Sequence, residues 1–144
     1  MKVFVLSLRK NWEQMQSIAK IVQGLGIEVA DDYMVKEDEK RWNLNDHKAV
    51  QRSIMHSLGH VYISDILMLD MTEKDLDYKE YLSYLGAAYA LYKTIMFVGP
   101  SGFEDKECKC FQTFPEYHYG AVTFTSDWND AFNVLVVLKQ ALNE

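Results

Sequence analysis

One stretch of this chain leaves few choices of fold. Residues 65–71 read Asp-Ile-Leu-Met-Leu-Asp-Met, an apolar run with an acid at either side and no polar alternation within it. A strand with one wet face alternates apolar and polar residues. One that is apolar throughout is covered on both faces and belongs inside a parallel sheet. The rest of the chain supplies what such a sheet needs. Compact runs of β-formers predict further strands at Lys2–Leu8, at 27–32, at 94–100 and at 120–126. Between them, apolar residues recur at helical spacing. Trp12, Met15, Ile18, Ala19, Val22 and Leu25 mark a first helix begun near Asn11 and ended by Gly24 or Gly26. Ala49, Val50, Ile54, Leu58 and Val61 mark a second over 46–64, and a third runs from about Asp77 to Lys93. A last helix begins near Asp127 and carries Trp128, Ala131, Phe132, Leu135, Leu138 and Leu142 on one stripe. Residues 33–45 and 101–119 read as loops.

Strand and helix thus alternate along the whole chain, which predicts an α/β fold. The expected architecture is a five-stranded, mostly parallel, doubly wound sheet with helices on both faces, Rossmann- or flavodoxin-like. A chain of 144 residues, 49% apolar and 13% aromatic, suits a single domain over 1–144 with a substantial core. Net charge is −6 and no run of Lys or Arg exceeds two residues, which removes the electrostatic case for binding nucleic acid. A small anion needs only one or two local cations and stays open. The apolar run at 3–8 is too short for a signal-peptide core, and no stretch approaches membrane-spanning length, so the expectation is a soluble cytoplasmic protein with no membrane partner. Cys108 and Cys110, the only cysteines, are separated by one residue, and a metal site would need other ligands; two free thiols in a loop are expected, not a disulfide.

In open α/β sheets ligands bind outside the carboxyl ends of the strands, where the strand order reverses. That directs attention to 7–11, 30–32, 70–77 and 99–102. Ser7 and Arg9 follow the first strand, with Asn11 at the start of the first helix; a hydroxyl, a guanidinium and free backbone N–H groups form an anion cradle. No GxGxxG or GxxxxGK[ST] pattern accompanies them, which excludes a dinucleotide fingerprint and a P-loop. Asp70 ends the central strand, where an acid either caps the following helix or orients a ligand hydroxyl. His56 and His60 share a helix face but lack the acid of an H-E-x-x-H arrangement, so a polar or half-buried pair is expected, with no metal site and no cofactor.

The third helix has the most unusual composition. Gly86, Ala87, Ala88 and Ala90 stand among Tyr78, Tyr81, Tyr84, Tyr89 and Tyr92. Its segment "YLGAAYALYKTIMFVGP", with "SDILMLDMT" on the central strand, resembles the nucleoside 2-deoxyribosyltransferase superfamily. Members carry a strand ending in an "ADL"-like Asp and then a helix similar to "ELGYAYALGKPV". The "SLR" of the first strand is similar to the "SIR" of the deoxynucleoside 5′-monophosphate N-glycosidases in that superfamily. The resemblance spans the whole order of elements and is sharpest over these segments.

It implies that Ser7 and Arg9 hold a phosphate and that Asp70 faces the sugar. It also implies a helix packed closely on the sheet, with Gly86 and Ala88 at the family's small positions. The family's catalytic glutamate falls on Tyr84. A phenol has a reference pKa of about 10, so roughly one in a thousand is ionised at neutral pH, a poor substitute for a carboxylate. Glu80 is one helical turn earlier, on the same face and about 6 Å nearer the N-terminus, and is the alternative acid. The expectation is therefore a nucleoside- or nucleotide-binding protein of this fold without the usual catalytic carboxylate. The alternative is an active N-glycosidase or deoxyribosyltransferase using Glu80 or Tyr84, and a third reading is a plain interaction protein. Tyr84 is expected to line the pocket. A helix apolar nearly all round needs more than one sheet to cover it, and a homodimer through the second and third helices is expected.

Overall fold

The apolar central strand is buried along its whole length. In the computed structural model, which describes residues 1–7, 11–30, 47–73, 81–99 and 122–143, this strand is β3 (Ile66–Asp70), and every residue in it is buried. Around it lie β1 (Lys2–Leu6), β2 (Glu28–Val29), β4 (Thr94–Val98) and β5 (Val122–Thr125). The helices are α1 (Trp12–Gly24), α2 (His47–Ile63), α3 (Leu82–Ala90) and α4 (Trp128–Asn143). All the pairings are parallel, in the order β2-β1-β3-β4-β5. The predicted five-stranded parallel α/β sheet is therefore the observed one. No helix among the described residues is long and apolar enough to cross a membrane.

Alternation along each strand divides the core in two. Phe4, Leu67, Leu69, Ile95 and Phe97 face one side and pack with Val61 of α2 and with Tyr84, Leu85 and Ala88 of α3. Val3, Val5, Ile66, Met68, Met96 and Val98 face the other and meet Met15, Ile18 and Val22 of α1 and Ala131 and Leu135 of α4. Both faces of β3 are thus covered, as its composition demands. The chain runs from β1 outward to β2, then crosses back to β3 and continues the other way, so the order reverses between β1 and β3. Their carboxyl ends flank the crevice at which such sheets bind ligands.

The boundaries are shorter than the sequence reading. β1 stops at Leu6 rather than Leu8, and β2 is a two-residue edge strand, continued only by the bond from Ala30 N–H to the Val3 carbonyl. Residues 74–80, the start of the predicted third helix, lie outside the described residues, as do the loops carrying Cys108 and Cys110. Asp127 does cap α4: its Oδ1 accepts from Asp130 N–H at 2.8 Å, and the Asp130 carboxylate accepts in return from Ser126 N–H at 3.0 Å.

Helix α3 needs its small residues in part only. Ala88 is fully buried against the sheet. Gly86 is exposed, with nothing within 4 Å of where its Cβ would stand, so among the described residues no close approach explains it. The helix ends in a Schellman turn: Lys93 N–H donates to the Ala88 carbonyl at 2.9 Å and Tyr92 N–H to that of Tyr89 at 3.1 Å. The position that usually belongs to glycine is held by Tyr92, at φ 55° and 90% exposed.

Candidate functional site at the carboxyl ends of β1 and β3

Strand register assembles this site. β1 pairs with β3 as Val3↔Ile66 through Leu6↔Leu69, and one step further sets Ser7 beside Asp70. Alternation assigns both to the α1 side: Asp70 follows Ile66 and Met68, and Ser7 follows Val3 and Val5. The Ser7 hydroxyl donates to Asp70 Oδ2 at 2.6 Å. Asn11, immediately before α1, donates from Nδ2 to Ser7 Oγ at 3.3 Å. That amide makes no side-chain cap on α1; it is turned to the strand end instead.

The other carboxylate oxygen is held just as firmly. Asp70 Oδ1 accepts from Thr72 N–H at 3.0 Å and from the Thr72 hydroxyl at 2.6 Å. An aspartate bonded to the N–H two residues on is an Asx turn, so Asp70 closes its own strand-to-loop turn. The Tyr81 hydroxyl donates to the Asp70 carbonyl at 2.9 Å, which ties the entrance of α3 to the end of β3. Asp70 is 2% exposed, so it is a buried charge surrounded by donors. Behind it, Gly99 backs onto the turn from β4 at φ 117°; a Cβ there would lie 2.7 Å from Thr72 N and from the Met71 carbonyl carbon.

Of the residues picked from sequence, Ser7, Asn11 and Asp70 are brought together. Tyr84 is 7% exposed and packs in the α2–α3 core, with Phe4, Leu69 and Met71 in the same cluster. Arg9 and Glu80 lie outside the described residues. His56 and His60 do meet on α2, with Nε2 atoms 3.0 Å apart and rings edge to face. Among the described residues no group of three or more His, Cys, Asp or Glu side chains is arranged to hold a metal. Thr72 and Gly99 lie in the strand-end ranges 70–77 and 99–102 but have no role of their own in the sequence reading, and Tyr81 figures there only among the helix tyrosines. The spacing Asp-Met-Thr is a readable turn signal for the first.

Two solved structures are similar to this chain. A 2-deoxyribosyltransferase from Bacillus psychrosaccharolyticus superposes with a TM-score of 0.61 at 20% identity, over 91% of this chain and 90% of that one. The chain shares the fold of that enzyme. A CMP N-glycosidase from Clostridium botulinum superposes with a TM-score of 0.58 at 12% identity, over 95% of this chain and 99% of the other. No protein-family model matches the sequence, and no curated protein matches it. At these identities the likeness establishes the nucleoside 2-deoxyribosyltransferase-like fold and its extent; the chemistry has to be argued from this chain's own residues.

Proposed function

We propose that this protein binds a nucleoside or nucleotide in the crevice between the carboxyl ends of β1 and β3, as a cytoplasmic binding protein without the family's catalytic carboxylate. The observation that carries the reading is the bond between the half-buried Ser7 and the buried Asp70 at 2.6 Å, at the place where a sheet of this order takes ligands. Ser7, Asn11 and Asp70 are the ligand-binding residues, and Arg9 joins them from the segment that follows β1. The burial of Tyr84, 7% exposed, supports this reading, since a phenol ionises far less readily than the carboxylate the resemblance leads one to expect there.

The second reading is an N-glycosidase or deoxyribosyltransferase acting on a nucleoside or its 5′-monophosphate, with Glu80 as the acid. It is favoured by the neighbours, whose names describe those two activities. One experiment separates the two. The protein is incubated with a panel of nucleosides and 5′-monophosphates, free base is followed by chromatography, and thermal stability is measured alongside. Stabilisation by a ligand without release of base supports the binder, because a ligand that binds only the native state raises its stability. Base release that disappears in Glu80→Gln supports the enzyme.

The same reading includes a homodimer. Met55, Tyr62 and Ile63 of α2, with Leu82 and Tyr89 of α3 and Tyr92 just beyond it, are exposed large apolar residues on the two helices that cover one face of the sheet. A second copy would cover them, with tyrosines well suited to such a contact.

A further inference from the structure

We infer that His56 and His60 form a chelating site on α2 for a divalent late transition metal, with nickel(II) or copper(II) fitting it before zinc. The site shares no residue with the β1–β3 crevice and does not depend on the binding reading above.

The two histidines are four residues apart, which sets their side chains on one face of the helix. Their Nε2 atoms are 3.0 Å apart. The ring centroids are only 4.4 Å apart, with the planes at 79°, so the nitrogens meet side by side and not head-on. A neutral imidazole donates at one nitrogen and accepts at the other, and in this contact one Nε2 donates to the other. If the donor ring carries its proton on Nδ1 instead, both Nε2 atoms present lone pairs to the same region. Two lone pairs at that distance repel unless a cation lies between them. The change of tautomer releases no proton, and neutral imidazole is the form that binds metals.

The spacing selects among ions. With metal–nitrogen bonds of about 2.0–2.1 Å, nitrogens 3.0 Å apart subtend about 90–95° at the ion. That is the angle between neighbouring ligands of a square-planar or octahedral ion. A tetrahedral ion with the same bonds would want them about 3.3–3.4 Å apart. Tetragonal sites with nitrogen and oxygen ligands suit copper(II) and nickel(II).

One ligand is fixed and the other adjustable. His60 is half-buried, with its ring tilted on Phe4 at a centroid distance of 5.5 Å. Its carbonyl accepts from both the hydroxyl and the N–H of Ser64, which tie down the last turn of α2. His56 is exposed, so its ring can turn onto the ion and the remaining coordination positions face water. Holding one ligand in place lowers the ordering cost of binding. The acid missing from an H-E-x-x-H arrangement is that motif's general base and not a ligand; without it hydrolytic chemistry is lost and chelation is kept. Among the described residues no third side chain completes the set. Water fills the other positions, and the ion exchanges with solution rather than forming a closed structural centre.

Isothermal titration of the full chain, freed of metal by dialysis against a chelator, tests this with NiCl₂ and with MgCl₂. Nickel should bind at one ion per chain, and magnesium, which prefers oxygen ligands, should not bind there. His56→Ala and His60→Gln should each weaken nickel at least about ten-fold, because the second imidazole acts at the effective concentration of an intramolecular group. His47→Ala, an exposed histidine at the start of the same helix, should leave the affinity unchanged. Circular dichroism checks that each variant keeps its helices. As a second readout, the imidazole proton resonances of His56 and His60 should be the first to broaden as paramagnetic nickel is added. Absence of nickel binding, an affinity unchanged in His56→Ala, or broadening centred on other residues overturns the site.

Discussion

Gly99 and Thr72 are in contact through backbone alone: a Cβ on Gly99 would sit 2.7 Å from the Thr72 nitrogen, and Gly99 holds φ at 117°. The β4 end is thereby pressed against the turn whose N–H and hydroxyl hold Asp70, and Asp70 in turn holds Ser7. Gly99→Ala should cost about 1–3 kcal/mol through backbone strain alone, and more through the overlap. Urea denaturation measures it. An unchanged midpoint would mean that the turn can move aside freely and that Gly99 does not shape the site.

A side chain of α4 reaches the carboxyl end of α1. Lys139 Nζ donates to the Leu25 carbonyl at 2.8 Å, over Gly26 at φ 75°, and so satisfies an acceptor left open by the last turn of α1. Lys139→Met keeps the aliphatic stem and removes the bond. A loss of about 1 kcal/mol is expected in the same denaturation assay. Full stability in this variant would show that solvent replaces the ammonium without penalty.

Tyr84→Glu restores the carboxylate that the resemblance leads one to expect at this position. Because Tyr84 is 7% exposed among apolar neighbours, the introduced carboxyl should destabilise the fold by about 2 kcal/mol or more rather than confer base release. Burial raises the folded-state pKa of a carboxyl above its unfolded value, so the native form binds the extra proton more readily. The loss should be greatest at neutral pH and shrink as pH falls through the raised pKa. A stable variant that liberates free base would contradict this placement of Tyr84.

How much of this was legible in the sequence varied from residue to residue. β3 was plain, because an all-apolar run between turn signals has one accommodation in a chain of alternating strands and helices. Ser7 and Asp70 could be singled out by position at strand ends. That they touch could not be read, since the offset between them is a property of strand pairing and not of local sequence. The tyrosines of α3 show the limit of periodicity. The buried stripe is Tyr81, Tyr84, Leu85 and Ala88, while Tyr89 and Tyr92 fall outside it and are exposed. With apolar residues on every side of the helix, spacing alone does not say which side meets the sheet. Resemblance leads one to expect Tyr84 at a pocket, and spacing does not reveal that its ring packs with Phe4, Leu69 and Met71.

Tyr92 offers a test of the proposed pairing of two copies. Its left-handed backbone costs an ordinary residue about 1–2 kcal/mol, part of which glycine gives back through its greater freedom when unfolded. Tyr92→Gly should therefore stabilise the dilute protein by about 0.5–1 kcal/mol and weaken self-association, since the same change removes a side chain that is 90% exposed. Denaturation at low concentration and sedimentation over a concentration series give the two readings. Unaltered association would remove Tyr92 from the contact, and a monomer at all concentrations would remove the dimer.

Ligand binding in the β1–β3 crevice underlies the roles given to Ser7, Asn11 and Asp70. Backbone amide chemical shifts, recorded while a nucleoside is titrated into the labelled protein, test it most directly. The predicted result is that perturbations centre on Ser7, Asn11, Asp70 and Thr72 and saturate together, with α2 and the exposed residues of α3 little affected. Saturating perturbations confined to the α2–α3 face, or none at any ligand concentration, would contradict it.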